Sequence, residues 1–560
     1  MGATAQAPVR SADRVVEAIR AAGVRHVFGV PGAKIDAVYD ALTDSGLQVV
    51  VCRHEQNAAF MAAAVGRLTG VPGVVLVTSG PGTANLTTGL VTANTEQDPV
   101  VALCGAVNRA DRLKRTHQSM DAAGLLKTVT KFTGEVDHPD DVLETVVNAF
   151  RAAATAPCGS SAVVLPMDVL AETTSTGPVK ALPPATLGPA PHQEVQRALQ
   201  IIRGAQRPAL LVGARGADPD SCAAIRRLVS DTALPVIETF QGAGVVSHDL
   251  EDHYVGRVGL FRNQPGDVVL ARADVLITVG FDQVEYDPAL WNAGTDRPIV
   301  HVDSVPAVID TCYQPAVELR GDVAATLTDM AKSLSGMQVA DAFKTEIAGQ
   351  RRALRAIDDD AVQGGVDTPR GLNPAALVLR LRELLDDNAT VACDVGSNYI
   401  YMARHFRVYE PRHLLFSNGQ QTLGVGMPWA MAASMVRPGT QVVSVSGDGG
   451  FLFSAQELET ATRLGLTFTH VIMRDNSYDM VGFQEELKYG RRSGVALGDY
   501  DIVKYAGAFG AHGYRVTTEQ EFTTALRQAL AEDGPSIVDV PVDYSHNTSL
   551  ATELHEDPFE

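Results

Sequence analysis

Short runs of aliphatic and β-branched residues alternate with longer amphipathic segments along almost the whole chain. Residues 26–30, 73–79, 441–446 and 469–473 are four such runs. Continuous apolar runs of this length are typical of strands that are buried on both faces of a parallel sheet. The segments between the runs are long enough for crossover helices, so the pattern predicts an α/β fold with doubly wound parallel sheets.

Two interruptions divide this pattern into three segments. Residues 172–196 are rich in proline, and residues 346–372 are highly charged and then rich in glycine and proline. Both stretches are predicted as linkers. We therefore expect three doubly wound parallel-sheet domains, at residues 1–185, 190–345 and 370–560. The outer two share an order of helix, strand and glycine-containing loop and could bind the two ends of one ligand, unless the similarity is due to chance.

Two acidic residues follow neighbouring strands of the third segment. Gly447, Asp448 and Gly449 end one strand, and Asp475 follows the next strand, 27 residues after Asp448. In a parallel sheet both carboxylates then lie at the edge where such folds bind ligands. Hard oxygen ligands beside a glycine turn suit Mg²⁺ that bridges a diphosphate. The alternative is a turn with a solvated aspartate, which the second acid in register makes less attractive.

Two local features complete the description of the outer segments. Residues 454–457, Ser-Ala-Gln-Glu, fit a capping box that opens the helix between the two acidic strand ends. In the first segment, a strand through Cys52 leads to Arg53, His54 and Glu55, so Glu55 is predicted to open a helix. A carboxylic acid in such a partly apolar place can exchange a proton with a heterocycle. The alternative is an ordinary acid stabilised by the helix dipole.

Composition narrows the possible partners and compartments. The net charge of −20 argues against nucleic acid and anionic membranes as partners. The six cysteines lack Cys-x-x-Cys spacing and are predicted as buried thiols. The first residues lack the features of a signal peptide, and no apolar run reaches membrane-spanning length, so a cytoplasmic location is expected. The P-loop, the nucleophile elbow and the His-Glu-x-x-His helix do not occur in the sequence.

These motifs together resemble those of thiamine-diphosphate enzymes. Gly447-Asp448-Gly449 with a ligand near Asp475 resembles the diphosphate fingerprint, and Arg53-His54-Glu55 resembles the activating glutamate segment. The similarity to the catabolic, FAD-independent acetolactate synthases runs from end to end. Its most specific stretches are residues 27–36, 54–61, 112–118, 259–267, 417–424 and 447–454.

The resemblance implies thiamine diphosphate and Mg²⁺ as cofactors and assigns residues to them. The implied catalytic residues are Glu55, Gln118, Lys34 and His117, with Lys131 as a nearby candidate. The implied cofactor-binding residues are Pro31, Thr78, Pro81, Asn85, Gly396, Ser397, Asn398, Gln420, Leu423, Gly449, Gly450 and Met480. The implied Mg²⁺ ligands are Asp448, Asp475 and the carbonyl of Ser477.

The resemblance also implies a reaction and an assembly. The protein would condense two pyruvate molecules to 2-acetolactate and CO₂ through a thiamine-diphosphate enamine, in an acetoin-forming pathway. It would be a homodimer or homotetramer with the active site at the subunit interface. Three positions depart from relatives: Asn398 replaces a histidine, Leu423 a methionine and Gln484 a tryptophan. The last of these points to pyruvate as the acceptor.

The middle segment resembles the domain that holds FAD in the biosynthetic enzymes. It contains no Gly-x-Gly-x-x-Gly, and Gly213-Ala-Arg-Gly216 is too weak a match, so FAD is not expected. Tyr286 and Trp291 are predicted to be packing residues. Three alternatives remain: another thiamine-diphosphate decarboxylase or carboligase of 2-oxoacids, an FAD-binding biosynthetic acetohydroxyacid synthase, or a non-catalytic nucleotide-binding protein.

Overall fold

The computed structural model of the protein describes residues 9–177, 179–180 and 182–551. The amino-terminal residues on which the expectation about targeting rests lie outside this part. In the described residues, the strands form three six-stranded parallel sheets and two short antiparallel pairs. The prediction of an α/β fold with three parallel sheets is confirmed. None of the helices in the described ranges is long and apolar enough to cross a bilayer.

The first sheet has the strand order β3-β2-β4-β5-β7-β6. Its strands, with the short pair β1 and β8, are β1 (Val9–Arg10), β2 (His26–Val30), β3 (Gln48–Val51), β4 (Gly73–Val77), β5 (Val100–Ala106), β6 (Phe132–Glu135), β7 (Ser160–Pro166) and β8 (Thr173–Thr174). The helices of this region are α1 (Ser11–Ala21), α2 (Asp36–Leu42), α3 (Glu55–Thr69), α4 (Pro81–Asn85), α5 (Thr87–Thr95), α6 (Ala122–Leu126), α7 (Val142–Ala154) and α8 (Met167–Ala171).

The middle sheet has the order β11-β10-β9-β12-β13-β14. Its strands are β9 (Pro208–Val212), β10 (Val236–Thr239), β11 (Tyr254–Val258), β12 (Val275–Val279), β13 (Ile299–Asp303) and β14 (Val317–Arg320). The helices are α9 (His192–Gly204), α10 (Pro219–Ser230), α11 (Pro265–Arg272), α12 (Pro288–Trp291), α13 (Val323–Leu334) and α14 (Asp341–Gln363). Tyr286 and Trp291 are buried in this domain's core, as predicted.

The third sheet has the order β18-β17-β19-β20-β22-β21. Its strands, with the short pair β15 and β16, are β15 (Asp367–Thr368), β16 (Gly371–Leu372), β17 (Thr390–Cys393), β18 (Leu414–Leu415), β19 (Val442–Gly447), β20 (Phe468–Arg474), β21 (His512–Arg515) and β22 (Pro535–Pro541). The helices are α15 (Pro374–Leu384), α16 (Ser397–His405), α17 (Gly426–Val436), α18 (Asp448–Leu452), α19 (Leu458–Leu464), α20 (Asp479–Tyr489), α21 (Ile502–Ala508) and α22 (Glu519–Ala531). When the strands of each sheet are numbered from the start of their own domain, the third sheet has the same strand order as the first. This agreement supports the predicted similarity of the outer domains.

The second predicted linker is largely helical. Residues 346–363, expected to belong to a charged connection, lie within α14. Phe343, Ile347 and Leu354 are buried on one face of this helix, and its charged residues lie mostly on the other faces. The high charge therefore belongs to the solvent-exposed surface of a helix and not to a linker. The helical spacing of the three apolar residues could have predicted this helix.

A single hydrophobic core joins the first and third domains. Helix α3 is buried from Asn57 to Gly66, and helix α17 from Gly426 to Ala433. The two helices pack against each other through runs of alanine, so their backbones approach closely. Arg67 of α3 lies over the indole ring of Trp429 in α17, with 4.5 Å between the guanidinium carbon and the ring centroid. This contact fixes the two outer sheets relative to each other.

We predict that Trp429→Ala lowers the free energy of unfolding by about 3–5 kcal/mol, because it removes a large buried ring and leaves a cavity between α3 and α17. Trp429→Phe is the matched control and costs less, since a ring remains beneath Arg67. Guanidinium unfolding followed by circular dichroism measures both. Equal losses for the two variants, or a loss below about 1 kcal/mol for Trp429→Ala, would contradict the packing argument.

Candidate active site

The turn between β3 and α3 carries Glu55 to the carboxyl edge of the first sheet. His54 is the N-cap of α3, and its Nδ1 accepts a hydrogen bond from the backbone N–H of Gln56 at 3.1 Å. Glu55 is the first residue of the helix, as predicted, and it is half-buried. Its Oε2 accepts a hydrogen bond of 2.9 Å from Nδ2 of Asn85 at the end of α4.

The loop after β4 brings the other predicted residues close to Glu55. A Cβ at Gly82 would lie 3.0 Å from Cγ2 of Thr78 and 3.5 Å from Oε1 of Glu55. A Cβ at Gly32, the residue after Pro31, would lie 2.6 Å from Cβ of Thr78. Glycine at these two positions therefore permits the close approach of three loops. Pro31, Thr78, Glu55 and the α4 residues Pro81 and Asn85 share one sheet edge.

Gln118 and Lys34 join the same edge. The backbone N–H of Lys34 donates to Oγ1 of Thr78 at 3.4 Å. The hydroxyl of Ser79 donates to Oε1 of Gln118 at 3.4 Å, and Gln118 has a left-handed backbone with φ of 61°. His117 precedes it and is exposed.

Lys131 does not belong to this group within the chain. It immediately precedes β6, so it lies at the amino edge of the sheet, opposite to Glu55. Its ammonium group donates to the carbonyl of Thr155 at 2.6 Å and to that of Pro157. The suggestion that Lys131 is a nearby catalytic candidate is wrong, because topology places it at the far end of the strand.

A cavity of about 250 Å³ opens at the carboxyl edge of the third sheet. Its walls come from the ends of β17, β19 and β20, from the start of α20 and from the segment after β22. The lining includes nine predicted residues, namely Gly396, Ser397, Asn398, Leu423, Gly449, Gly450, Asp475, Ser477 and Met480. Sequence reasoning therefore identified most of one continuous surface.

The two acidic residues lie at the same sheet edge, and Asp475 lines the cavity. Asp448 is buried as the first residue of α18, and its Oδ2 accepts from the backbone N–H of Asn476 at 2.7 Å. Asp475 accepts from the hydroxyl of Ser477 at 2.5 Å. Burial raises the pKa of Asp448 to about 6 and that of Asp475 to about 7, and the charge of Asp448 adds to the second shift. Two partly desolvated carboxylates that repel each other form a site that a divalent cation stabilises.

Glycines keep one wall of the cavity bare. A Cβ at Gly449 would lie 2.5 Å from the ring of Tyr478, and one at Gly450 would lie 2.7 Å from Oδ1 of Asp394. Gly396 has φ of 149°, a value that side-chain-bearing residues rarely adopt, and α16 begins directly after it. Free backbone N–H groups at a helix start beside such a wall suit the oxygens of a diphosphate.

Two predicted contacts differ in detail from expectation. The Nδ2 of Asn398 donates to the Asp394 carbonyl at 2.8 Å, and its Oδ1 lies towards Gly396 without a hydrogen-bond partner among the described residues. The amide N–H of Asn398, a residue that the resemblance assigns to the cofactor, therefore already donates a hydrogen bond within the protein. Gln420 is exposed and donates to Oγ1 of Thr95 at 2.9 Å, outside the residues that line the cavity.

Three residues that sequence reasoning did not single out support this cavity. Buried Asp394 accepts from the N–H groups of Val395, Gly424 and Gly426, at 2.9, 3.0 and 2.8 Å, and thereby holds the turn after Leu423. Buried Asp479 accepts from Ser397 at 2.7 Å and from Arg492 at 2.9 Å. Tyr544 lines the cavity. Asp394 directly follows strand β17, much as Asp475 follows strand β20. This position at a strand end was the sequence signal that could have identified Asp394.

Comparison with known families identifies the class of protein. Residues 9–125 match "Thiamine pyrophosphate enzyme, N-terminal TPP binding domain", and residues 394–540 match the corresponding "C-terminal TPP binding domain". Residues 195–330 match the "central domain" of the same enzymes. The N-terminal match contains the sheet edge with Glu55, and the C-terminal match contains Asp448 and the cavity lined by Asp475. The fold and both half-sites therefore define an enzyme that depends on thiamine diphosphate.

Whole-chain relatives define the family more closely. "Acetolactate synthase" of Bacillus subtilis (strain 168) is 51% identical over 97% of this chain and 95% of the relative. "Acetolactate synthase, catabolic" of Raoultella terrigena is 44% identical over 97% of both. "Acetolactate synthase isozyme 2 large subunit" of Escherichia coli (strain K12) is 32% identical over 96% of both. The chain belongs to the acetolactate synthase family, as its motifs predicted.

We predict that Gly450→Ala lowers the melting temperature and weakens thiamine-diphosphate binding at least tenfold, because the added methyl displaces the carboxylate of Asp394 or the start of α18. Gly507→Ala is the matched control, since a Cβ there meets nothing within 4 Å and Gly507 lies within helix α21. It should keep the affinity and raise the melting temperature slightly. Calorimetric titration and thermal unfolding test both, and unchanged binding by Gly450→Ala would contradict the role of the bare wall.

Proposed function

We propose that this protein condenses two molecules of pyruvate to 2-acetolactate and CO₂, with thiamine diphosphate and Mg²⁺ as cofactors. The observation that carries the proposal is the presence, in one chain, of two complementary half-sites. One is the Glu55 edge of the first sheet, and the other is the acidic, glycine-walled cavity of the third. The names of the relatives over nearly the full length supply the reaction.

Asp448, Asp475 and the carbonyl of Ser477 would hold Mg²⁺. The raised pKa values of the two carboxylates support this assignment, because a bound cation removes their mutual repulsion and keeps both ionised. Gly396, Ser397, Gly449 and Gly450 would contact the diphosphate, with Asn398 behind them.

The remaining residues would bind and orient the substrate. Thiamine diphosphate, when bound, supplies the electron sink for the loss of CO₂ from a 2-oxoacid. Glu55 would hold and move a proton at N1′ of the aminopyrimidine, and Asn85 fixes its second oxygen. Lys34, His117 and Gln118 would orient the pyruvate carboxylate and stabilise the negative charge that develops on the keto oxygen when its carbon is attacked. Leu423 and Met480 would exclude water with their apolar side chains.

We further propose that each complete site is built by two copies of the chain. Every residue that lines the cavity belongs to the third domain, whereas Glu55 and its neighbours belong to the first. Pro31, Pro81 and Asn85 are exposed in the single chain, as are Leu452 and Phe453 beside the acidic loop. A second copy of the chain would cover these apolar surfaces and supply the missing half-site.

We propose that the middle domain works without FAD. At the end of β9, where a dinucleotide fold binds pyrophosphate, the carboxylate of buried Glu285 accepts from the N–H of Ala214 at 3.0 Å. It also accepts from the N–H of Asp282 at 3.0 Å and from the hydroxyl of Thr239 at 2.6 Å. A carboxylate of the chain itself thus satisfies the donors that an anionic cofactor would need.

We predict that the purified protein forms 2-acetolactate from pyruvate when thiamine diphosphate and Mg²⁺ are supplied and flavin is omitted. Product identification by mass spectrometry, followed by acid conversion to acetoin, is the measurement. EDTA should abolish product formation from the apoprotein, because the diphosphate then lacks its bridging cation. Acetaldehyde as the main product would favour a simple decarboxylase, and a flavin requirement would favour a biosynthetic synthase.

We predict that Glu55→Gln retains thiamine-diphosphate binding but loses a factor of about 10²–10⁴ in turnover, because glutamine cannot exchange the proton. The matched control is Glu17→Gln, which changes the same side chain on the surface helix α1 far from both half-sites. Steady-state kinetics and calorimetric titration are the measurements. Near-normal turnover of Glu55→Gln would refute the assigned role.

We predict that activity falls together with the dissociation of the oligomer, since a monomer cannot bring its two half-sites together. Activity measured across a dilution series is compared with the mass distribution from sedimentation velocity at the same concentrations. Full specific activity in samples that contain only monomers would overturn the two-copy site.

A further inference from the structure

The turn that presents Glu55 is held from the third domain by one buried side chain. Glu457 is completely buried in the short 3₁₀ helix Ala455–Glu457. Its Oε1 accepts hydrogen bonds from the backbone N–H groups of Arg53 and His54, at 2.9 and 3.0 Å, and from Nδ2 of Asn57 at 3.1 Å. Each donor lies within two residues of Glu55.

This arrangement replaces the capping box predicted for residues 454–457. Ser454 makes no side-chain cap, and the carboxylate of Glu457 extends across the domain boundary, away from its own helix start. The spacing of a capping box was present, but a buried partner surface used the same carboxylate for another purpose. The capping-box prediction is therefore wrong.

The neighbouring turn of α19 contacts the same segment. The hydroxyl of Thr460 donates to Oε2 of Glu457 at 2.7 Å and lies 3.4 Å from the carbonyl of Val51. The guanidinium of Arg463 also donates to the Val51 carbonyl. Residues 457, 460 and 463 are spaced by three, so they share one helical face, and that face lies against the end of β3 and the start of α3.

We propose that Glu457 is a positioning residue for Glu55. It fixes the backbone of the β3–α3 turn from the opposite domain, so that the carboxylate of Glu55 meets the cofactor in one orientation. A catalytic acid must be held within about 0.5 Å of its productive place, and a turn on its own does not supply that constraint. The inference rests on the proposed function only in taking Glu55 as the acid that exchanges a proton with thiamine diphosphate.

The competing explanation is that Glu457 only stabilises the contact between the two domains. The chain contains a suitable comparison in the middle domain. Buried Glu238 accepts from two consecutive backbone N–H groups, those of Val245 and Val246, at 3.1 and 3.2 Å. It lies outside both half-sites and also pairs with buried Arg257 at 3.2 Å, so Glu238→Gln causes at least as large a structural loss without touching the β3–α3 turn.

The test uses the full-length protein and two readouts that do not depend on turnover. The first is hydrogen exchange of the Arg53 and His54 amides in the apoprotein, measured by mass spectrometry of short peptides. The second is deuterium exchange at C2 of bound thiamine diphosphate, measured by NMR after rapid acid quenching. Glu457→Gln should speed amide exchange at Arg53 and His54 and slow C2 exchange at least tenfold at saturating cofactor.

Controls separate positioning from general stability. Glu238→Gln should lower the melting temperature at least as much and leave C2 exchange at the wild-type rate. Glu457→Asp, which keeps the charge but retracts it by one methylene, should give an intermediate rate, and it replaces Glu457→Gln if that variant does not fold. Wild-type C2 exchange in the Glu457 variant that folds, or equal slowing in Glu238→Gln, would overturn the proposal.

The outcome remains distinguishable from that of the proposed function. C2 exchange precedes any choice of substrate, so it reports on Glu55 even if pyruvate does not yield 2-acetolactate. A different product with C2 exchange that still depends on Glu457 would reject the proposed reaction and retain the positioning role.

Discussion

The packing of α3 against α17 is the contact on which the rest of the molecule depends. Both helices are buried and rich in alanine, and together they merge the cores of the first and third domains. Because α3 begins at Glu55 and α17 begins just after the turn held by Asp394, this one interface sets where both functional edges lie. The middle domain contributes no residue to either half-site among the described residues.

Buried carboxylates perform two opposite tasks in this protein. Glu457, Asp394 and Glu285 each accept hydrogen bonds from backbone N–H groups, so these anions stabilise turns that would otherwise have unsatisfied donors. Asp448 is buried and Asp475 is half-buried, and the loss of solvation raises the pKa of both, with the charge of Asp448 adding to the shift of Asp475. The first group completes the protein's own structure, and the second is the pair that we propose as Mg²⁺ ligands.

Much of this arrangement could be predicted from the sequence, because it depends on local pattern. The strands before Asp448 and Asp475 were recognisable as apolar runs, and parallel topology then required both acids to share an edge. Glu55 was predicted at a helix start for the same reason. The long charged helix α14 was missed, since its high charge outweighed the signal of three apolar positions.

Long-range contacts could not be predicted in the same way. Glu457 and Arg53 are separated by 404 residues, and no local pattern predicts that one accepts from the backbone of the other. Lys131 failed for a related reason, because its place in the chain did not reveal at which end of the strand it lies. The assignment of Gln420, which contacts Thr95, stays a prediction. Family resemblance supplied the roles of residues, and the fold decided their neighbours.

The short segment from Asp448 to Glu457 has one further consequence. It connects the acidic loop at one end to the turn that carries Glu55 at the other, with only α18 between them. In an assembly where each catalytic centre takes one half from each copy, these two ends serve different centres. Residues 448–457 would then be a structural link between neighbouring centres, because one end borders the acidic loop and the other holds the Glu55 turn.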